Sequence, residues 1–183
     1  SGIKIARYIE GEPLSTFDSS RYPYEEAARI LKIIHSSDLR SPADYEPFAR
    51  LERYERYIKD LGFVHPARYN ELRAELFAYR PYLETQKKTL THGDSQPSNF
   101  VRAGDGLVVV DFEFCGNNDP LYDVACFANK VYEEGLNLLR AYFPDPSADE
   151  KKRFHLWRAF QCAQWYNVAV FKELKGMSAT LKI

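Results

Sequence analysis

LTHGDSQPSNFVRAGDGLVVVDFEFCGNNDPLYD, residues 90–123, is the stretch whose reading decides the fold. Thr89-Leu90-Thr91 is a β-rich approach to His92-Gly93-Asp94, and Asn99 follows Asp94 by five positions. Gly104-Asp105-Gly106 marks a turn. Leu107-Val108-Val109-Val110 is apolar and β-branched, which predicts a buried strand ending in Asp111-Phe112-Glu113. A hairpin of this kind delivers oxygen-bearing side chains from two separated segments to a common point.

The chemistry that needs such a point is phosphoryl transfer. A γ-phosphoryl group in transfer spreads negative charge over its oxygens, and a divalent cation neutralises it. Mg²⁺ takes hard oxygen ligands and keeps several waters, so two or three side chains suffice. Asn99, Asp111 and Glu113 can supply them, while Asp94 is the candidate base for an attacking hydroxyl. The plain alternative is that Asp94, Asn99 and Asp111 are ordinary turn residues. The strand context argues against it.

His92-Gly93-Asp94-x-x-x-x-Asn99 followed by Asp111-Phe112-Glu113 resembles the aminoglycoside phosphotransferase and choline kinase superfamily. Gly116-Asn117-Asn118-Asp119-Pro120-Leu121-Tyr122-Asp123-Val124-Ala125 is similar to the bacterial choline/ethanolamine kinase branch in particular. The resemblance implies ATP as phosphoryl donor, Mg²⁺, a structural His92, and an Asp123 that braces the catalytic loop by accepting backbone hydrogen bonds near His92. Without the family, Asp123 reads as a first-turn carboxylate of a helix starting near Pro120.

The 183 residues suit a single domain; 45% are apolar, 28% charged, and the net charge is -1, which argues against a nucleic-acid partner. No apolar run approaches the roughly 20 residues a membrane span needs. Cys115, Cys126 and Cys162 lack metal-ligand spacing, so reduced, buried thiols and a cytoplasmic location are expected. Ile3 to Ile9 reads as a strand stopped at Gly11 and Pro13. By resemblance, residues 1–11 are the hinge of a kinase, with the backbone of Tyr8 and Ile9 toward adenine, and 12–183 its large lobe. A plain edge strand is the alternative.

Helices are predicted over Tyr24 to Ser36, Pro47 to Leu61 and Pro66 to Tyr79, the last ended by Pro81. Further helices are expected over Leu121 to Glu133 (Val124, Phe127, Ala128 and Val131 inward), Glu134 to Tyr142, and from the Ser147-x-x-Glu150 capping box to about Lys175. His35 reads as a structural histidine. The fold class is therefore mainly α with a small β-hairpin, a kinase-like C-terminal lobe. The glycine-rich loop and phosphate-contacting lysine strand of a nucleotide-binding lobe do not occur in the sequence, so little turnover by this chain alone is expected.

Choline's quaternary ammonium cannot donate hydrogen bonds, so aromatic faces and a carboxylate must hold it. By resemblance, Trp165 and Tyr166 lie where related enzymes carry such a cage, Tyr122 is a further wall, and Gln96 matches the Asp-x-Gln-x-x-Asn of eukaryotic choline kinases. Aromatics on amphipathic helices are otherwise core. Three readings stay open. The first is a kinase lobe for a small amino alcohol, choline before ethanolamine. The second is a phosphotransferase for aminoglycosides or a sugar-like alcohol, drawing on Glu133, Glu134, Asp145 and Glu173. The third is a non-catalytic module that binds a cationic ligand and self-associates through an exposed lobe interface.

Overall fold

The computed structural model describes residues 7–104 and 106–177. The central stretch forms two small antiparallel sheets. β2 (Thr89–Thr91) pairs with β5 (Gly116–Asn118), Leu90 opposite Asn117. β3 (Phe100–Ala103) and β4 (Gly106–Val109) form the expected hairpin, Phe100 opposite Val109. In β4 only Leu107 is fully buried, because the strand covers the core with one face.

The other edge of β3 takes β1 (Glu12–Pro13), Pro13 opposite Val101. This corrects the expected strand over 3–9. Residues 7–10 carry no regular structure, Tyr8 is 84% exposed, and Ile3 to Ala6 lie outside the described residues. Gly11 is no stop signal: a Cβ there would meet the Arg102 carbonyl oxygen at 2.3 Å, so glycine lets the chain close onto β3. Pro13 then serves on an edge strand, where its missing N–H costs nothing.

α1 (Tyr24–Ser36) buries Ala27, Ala28, Leu31 and His35, and α2 (Pro47–Asp60) buries Phe48, Leu51 and Ile58. α3 (Ala67–Ala78) departs from its apolar spacing, burying Leu76 but leaving Leu72 47% exposed. Its anchoring is polar: Glu55 of α2 accepts from Tyr69 Oη at 2.7 Å and from Arg73 Nε at 2.6 Å. Pro81 does not end the helical run; it lies in the first turn of α4 (Arg80–Glu84), where a missing N–H is tolerated.

The helix expected over 121–133 stops early: α5 is Leu121–Cys126, and the next helix, α6 (Tyr132–Tyr142), begins two residues before the expected Glu134, with Val131, expected inward, 45% exposed between them. Close packing separates them. A Cβ on Gly135 would sit 2.4 Å from the Ala128 side chain, so α6 crosses the end of α5 almost in contact. α7 (Ala148–Leu174) begins at the predicted capping box, with Ser147 and Glu150 bonded reciprocally.

The core is aromatic at its centre. Phe48 meets Phe160 at 5.2 Å between centroids, and Tyr122 meets Trp157 edge-on at 5.3 Å. Of the cysteines, all free, Cys126 is buried, Cys115 half-buried and Cys162 exposed, which corrects the expectation of three buried thiols. Among the described residues no helix is long and apolar enough to cross a membrane. Because Phe48 is fully buried among these rings, Phe48→Ala should cost about 3–5 kcal/mol in urea unfolding, read as a lower midpoint at unchanged slope.

Candidate active site

The loop between β2 and β3 is held from below by one carboxylate. Asp123, fully buried in α5, accepts from the His92 N–H at 2.7 Å and the Gly93 N–H at 2.9 Å. Its Oδ2 also accepts from His35 Nε2 at 2.9 Å, and its backbone oxygen accepts from Ser95 Oγ at 2.6 Å. His35 is bonded in turn to Tyr142 of α6 at 2.8 Å. Burial alone would raise the Asp123 carboxyl, but the hydrogen bond and charge of His35, with His92, hold it below the ordinary value.

His92, fully buried, joins the two halves of the stretch. Its Nε2 donates to the Val110 carbonyl at 2.8 Å, and its Nδ1 accepts from the Asp94 N–H at 3.2 Å. A carbonyl only accepts and an amide N–H only donates, so the ring proton sits on Nε2. Val110 N–H donates to the Asn99 carbonyl at 2.9 Å, tying the hairpin's exit to the loop's end. Gly93, at φ 82°, fits because a Cβ would lie 2.1 Å from the Phe114 carbonyl oxygen. The segments carrying Asp94, Asn99 and Asp111 are thus pinned to one another.

Within this frame Asp94 is 9% exposed, its Oδ2 accepting from Asn99 Nδ2 at 3.0 Å and Gln96 Nε2 at 3.2 Å. Burial raises its carboxyl above the ordinary value; the donors Asn99 and Gln96 and the nearby Arg50 charge oppose the rise without cancelling it. A carboxyl shifted in this direction is a better proton acceptor than an exposed aspartate.

Asn99 gives its amide nitrogen to Asp94, at both the side chain and the backbone oxygen, so its carbonyl end is the one available to a cation. Asp111 is the described non-glycine residue with left-handed backbone, φ 68°, and with Glu113 it lies exposed at the hairpin's exit. No group of three or more His, Cys, Asp or Glu residues among the described residues is placed to hold a metal unaided. Asn99 and Asp111 with Glu113 are hard oxygen donors that leave positions for water and phosphate, a donor set that fits Mg²⁺.

The other expected site residues are placed less uniformly. Tyr122 is fully buried against Trp157, so it is core rather than a pocket wall; only its hydroxyl, 3.2 Å from the Tyr45 hydroxyl, reaches outward. Tyr166 stacks on Tyr69 at 5.4 Å along the α3–α7 side. Tyr166 also lines a cavity with Leu72, Leu76 and Tyr79, so it sits on the α7 face turned to α3. Trp165 is half-buried.

Residues not singled out in the sequence wall a cleft at the hairpin's exit. It measures about 600 Å³ and is bounded by Asp44, Tyr45, Glu46, Arg50, Arg53 and Phe114 among others. Arg50 stacks over the Phe114 ring at 4.2 Å and donates to Tyr45 Oη at 3.0 Å. Asn117 holds this wall: its Oδ1 accepts from the Ser41 N–H, its Nδ2 donates to Ser41 and Asp44, and its carbonyl accepts from the Tyr45 N–H. The surface charges on α2 concealed Arg50, since one arginine among many in a mixed-charge helix carries no signal of its own.

With this geometry in hand, the pattern of the phosphotransferase enzyme family (APH) matches residues 2–157, most of the chain. The chain belongs to the phosphotransferase enzyme family. Among curated relatives of this phosphotransferase chain, Protein LicA of Haemophilus influenzae is 24% identical over 193 residues, covering 96% of this chain and 71% of LicA. A choline/ethanolamine kinase family protein from Mesorhizobium loti superposes with a TM-score of 0.80 at 21% identity, over 94% of this chain and 61% of that one. The choline kinase LicA from Streptococcus pneumoniae gives 0.72 at 25% identity, over 94% and 63%. The phosphotransferase chain thus spans under two thirds of those two solved relatives.

Asp123→Asn or Asp123→Ala should destabilise the fold by about 3–5 kcal/mol at neutral pH, because buried donors lose their charged acceptor. A depressed carboxyl contributes stability that is fully present above its unfolded value and lost as pH falls through its folded one. Urea melts of wild type and Asp123→Asn should therefore keep their full difference near pH 7, with the gap starting to close only below about pH 4 and closing as pH falls through the depressed folded value.

Proposed function

We propose that this chain is the acceptor-binding and catalytic lobe of an ATP-dependent kinase that phosphorylates the hydroxyl of a small amino alcohol, choline first and ethanolamine second. The observation that carries this reading is the half-paired, buried carboxylate of Asp94, fixed beside Asn99 and Gln96 on a loop pinned by Asp123. Likeness to a choline kinase and to a choline/ethanolamine kinase family protein supports the acceptor class, and a solved LicA structure in complex with AMP supports the adenine nucleotide.

In this reading Asp94 accepts the proton of the attacking hydroxyl, with Gln96 and Asn99 holding its Oδ2 so that the other oxygen is presented to the acceptor. Asn99 and Asp111, with Glu113, would hold Mg²⁺, which supplies charge neutralisation for the phosphoryl group. His92 and Asp123 act at one remove, by fixing the loop backbone. The hinge role of Tyr8 and Ile9 rests on the resemblance alone. ATP supply and three unpaired cysteines fit a cytoplasmic setting.

The aminoglycoside reading draws less support. Of its four acidic candidates, Glu133 pairs with Arg140, Asp145 lies in the loop before α7, Glu173 lies near the far end of α7, and Glu134 faces a small cavity.

In an N-terminally extended polypeptide with measurable turnover, Asp94→Asn should lower kcat with choline about 10²–10⁴-fold. At neutral pH the same change should leave the melting temperature equal or higher, because the cost of burying an ionised Asp94 disappears, as it does in wild type when pH falls through the raised carboxyl value. The 183-residue chain should turn over far more slowly than the extended form. Full activity in Asp94→Asn, or transfer to kanamycin but to neither amino alcohol, would sink the proposal.

A further inference from the structure

A chain of hydrogen bonds between α2, α3 and α7 plays no part in the chemistry above, and its direction can be fixed from end to end. Asn167, fully buried on α7, gives its Nδ2 to the Ala163 carbonyl at 2.8 Å and to Tyr69 Oη at 2.6 Å. A carbonyl only accepts, so the amide nitrogen must lie on that side and Oδ1 on the other. That Oδ1 meets His65 Nε2 at 2.8 Å, so the ring proton of His65 sits on Nε2. Tyr69 passes its own proton to Glu55; burial and the Glu55 carboxylate both push the phenol up, which keeps it a donor. The run is therefore His65 to Asn167 to Tyr69 to Glu55. It leaves His65 Nδ1 as an unprotonated nitrogen that accepts no hydrogen bond among the described residues.

His65 stands in the wall of a cavity of about 540 Å³ between α2 and the start of α3, and no residue of the catalytic loop lines it. The charges facing His65 there are Glu52, Glu55, Arg56 and Lys59 from α2 and Arg73 from α3. Both carboxylates are spent: Glu55 takes Arg73 through two hydrogen bonds, at 2.6 and 2.8 Å, and Glu52 pairs with Arg80 at 3.4 Å. Arg56 and Lys59, one turn apart on α2, have no carboxylate partner among the described residues. Asp60, next in the chain, lines a different cavity. From α7 only neutral groups approach the ring, Asn167 and the Tyr166 phenol.

A proton arriving at Nδ1 breaks no existing bond, because Nε2 donates to Asn167 in either state. The ring is stacked on Tyr69 at 4.1 Å and 14°, a face that favours the imidazolium. Arg56 and Lys59 oppose that charge until an anion lies between them. Anion binding and protonation of His65 are thus coupled. We propose that this cavity is a binding site, separate from the catalytic loop, for a small doubly charged oxyanion such as phosphate or a phosphomonoester, held by Arg56 and Lys59 with His65 as a proton-linked third cation. The site stands whatever the acceptor of the phosphoryl transfer is.

Sulfate is the cleanest probe, since it does not itself titrate near neutral pH. Calorimetric titration of the 183-residue chain with sulfate should show binding about five- to tenfold tighter near pH 6 than near pH 8, with proton uptake detected by comparing buffers of different ionisation enthalpy. His65→Gln retains a donor toward Asn167 and should abolish both the uptake and the pH dependence. Arg56→Gln and Lys59→Gln should each weaken binding about three- to fivefold. Lys151→Gln, which removes an exposed charge outside the cavity, should leave it unchanged. Inorganic phosphate and glycerol phosphate identify the source: tighter binding of the ester assigns a phosphomonoester, the reverse the free ion. Absence of sulfate binding, or equal weakening in Lys151→Gln, overturns the site, and wild-type binding that ignores pH overturns the role of His65.

Discussion

A buried carboxylate in low dielectric must be surrounded by donors or it neutralises itself, and this constraint organises the molecule around Asp123. Its two oxygens are met by backbone N–H groups of the catalytic loop and by His35, and His35 reaches Tyr142. Helices α1, α5 and α6 and the loop must therefore all be in place before the charge is compensated. A loop of irregular backbone with no helix or sheet of its own gains a fixed shape because the core cannot tolerate its leaving. The energy that orients Asp94 is generated some distance away, in packing that never touches a substrate.

The same logic recurs along one short run. Asn117 fixes the 41–45 segment that walls the larger cleft. Two residues on, buried Asp119 accepts from Arg153 at 2.8 Å and from Trp157 Nε1 at 2.9 Å, which seats α7. Its Oδ1 also accepts the Leu121 N–H at the start of α5. Asp123 follows with the catalytic loop. Three polar side chains within seven residues each bind a different part of the molecule, so α5, though only six residues long and wholly buried, acts as its spine. Its neighbours Tyr122 and Trp157 fill the space between these anchors, which is why a tyrosine placed beside the motif belongs to the core.

The hairpin and most helices were legible because they follow from local rules: a β-branched run after a turn, apolar residues at three-and-four spacing, a capping box. Helix α1 begins and ends at the predicted residues, and the capping box at Ser147 forms both its bonds. What was illegible depended on close approach between distant segments. The contact of Gly135 with Ala128 breaks an otherwise continuous helical pattern, and Gly11 reads as a stop until Arg102 is seen beside it. For the site, the residues that carry spacing in one segment could be found, whereas Arg50 and Tyr45 join it only through tertiary contacts. Tyr166 was singled out by resemblance rather than by any local rule, and its stacking on Tyr69 of α3 depends on a tertiary contact that spacing does not show.

Asp94 is subject to two opposed demands. It must be buried enough to raise its proton affinity, and it must remain ionised to accept a proton at neutral pH. Asn99 and Gln96 resolve this by bonding one oxygen, stabilising the anion without consuming the whole carboxylate. Gln96, unlike a lysine, does so with no charge of its own. A lysine there would lower the base's proton affinity. Arg50 acts on Asp94 from the other side, where its charge reaches the base through space but bonds to Tyr45.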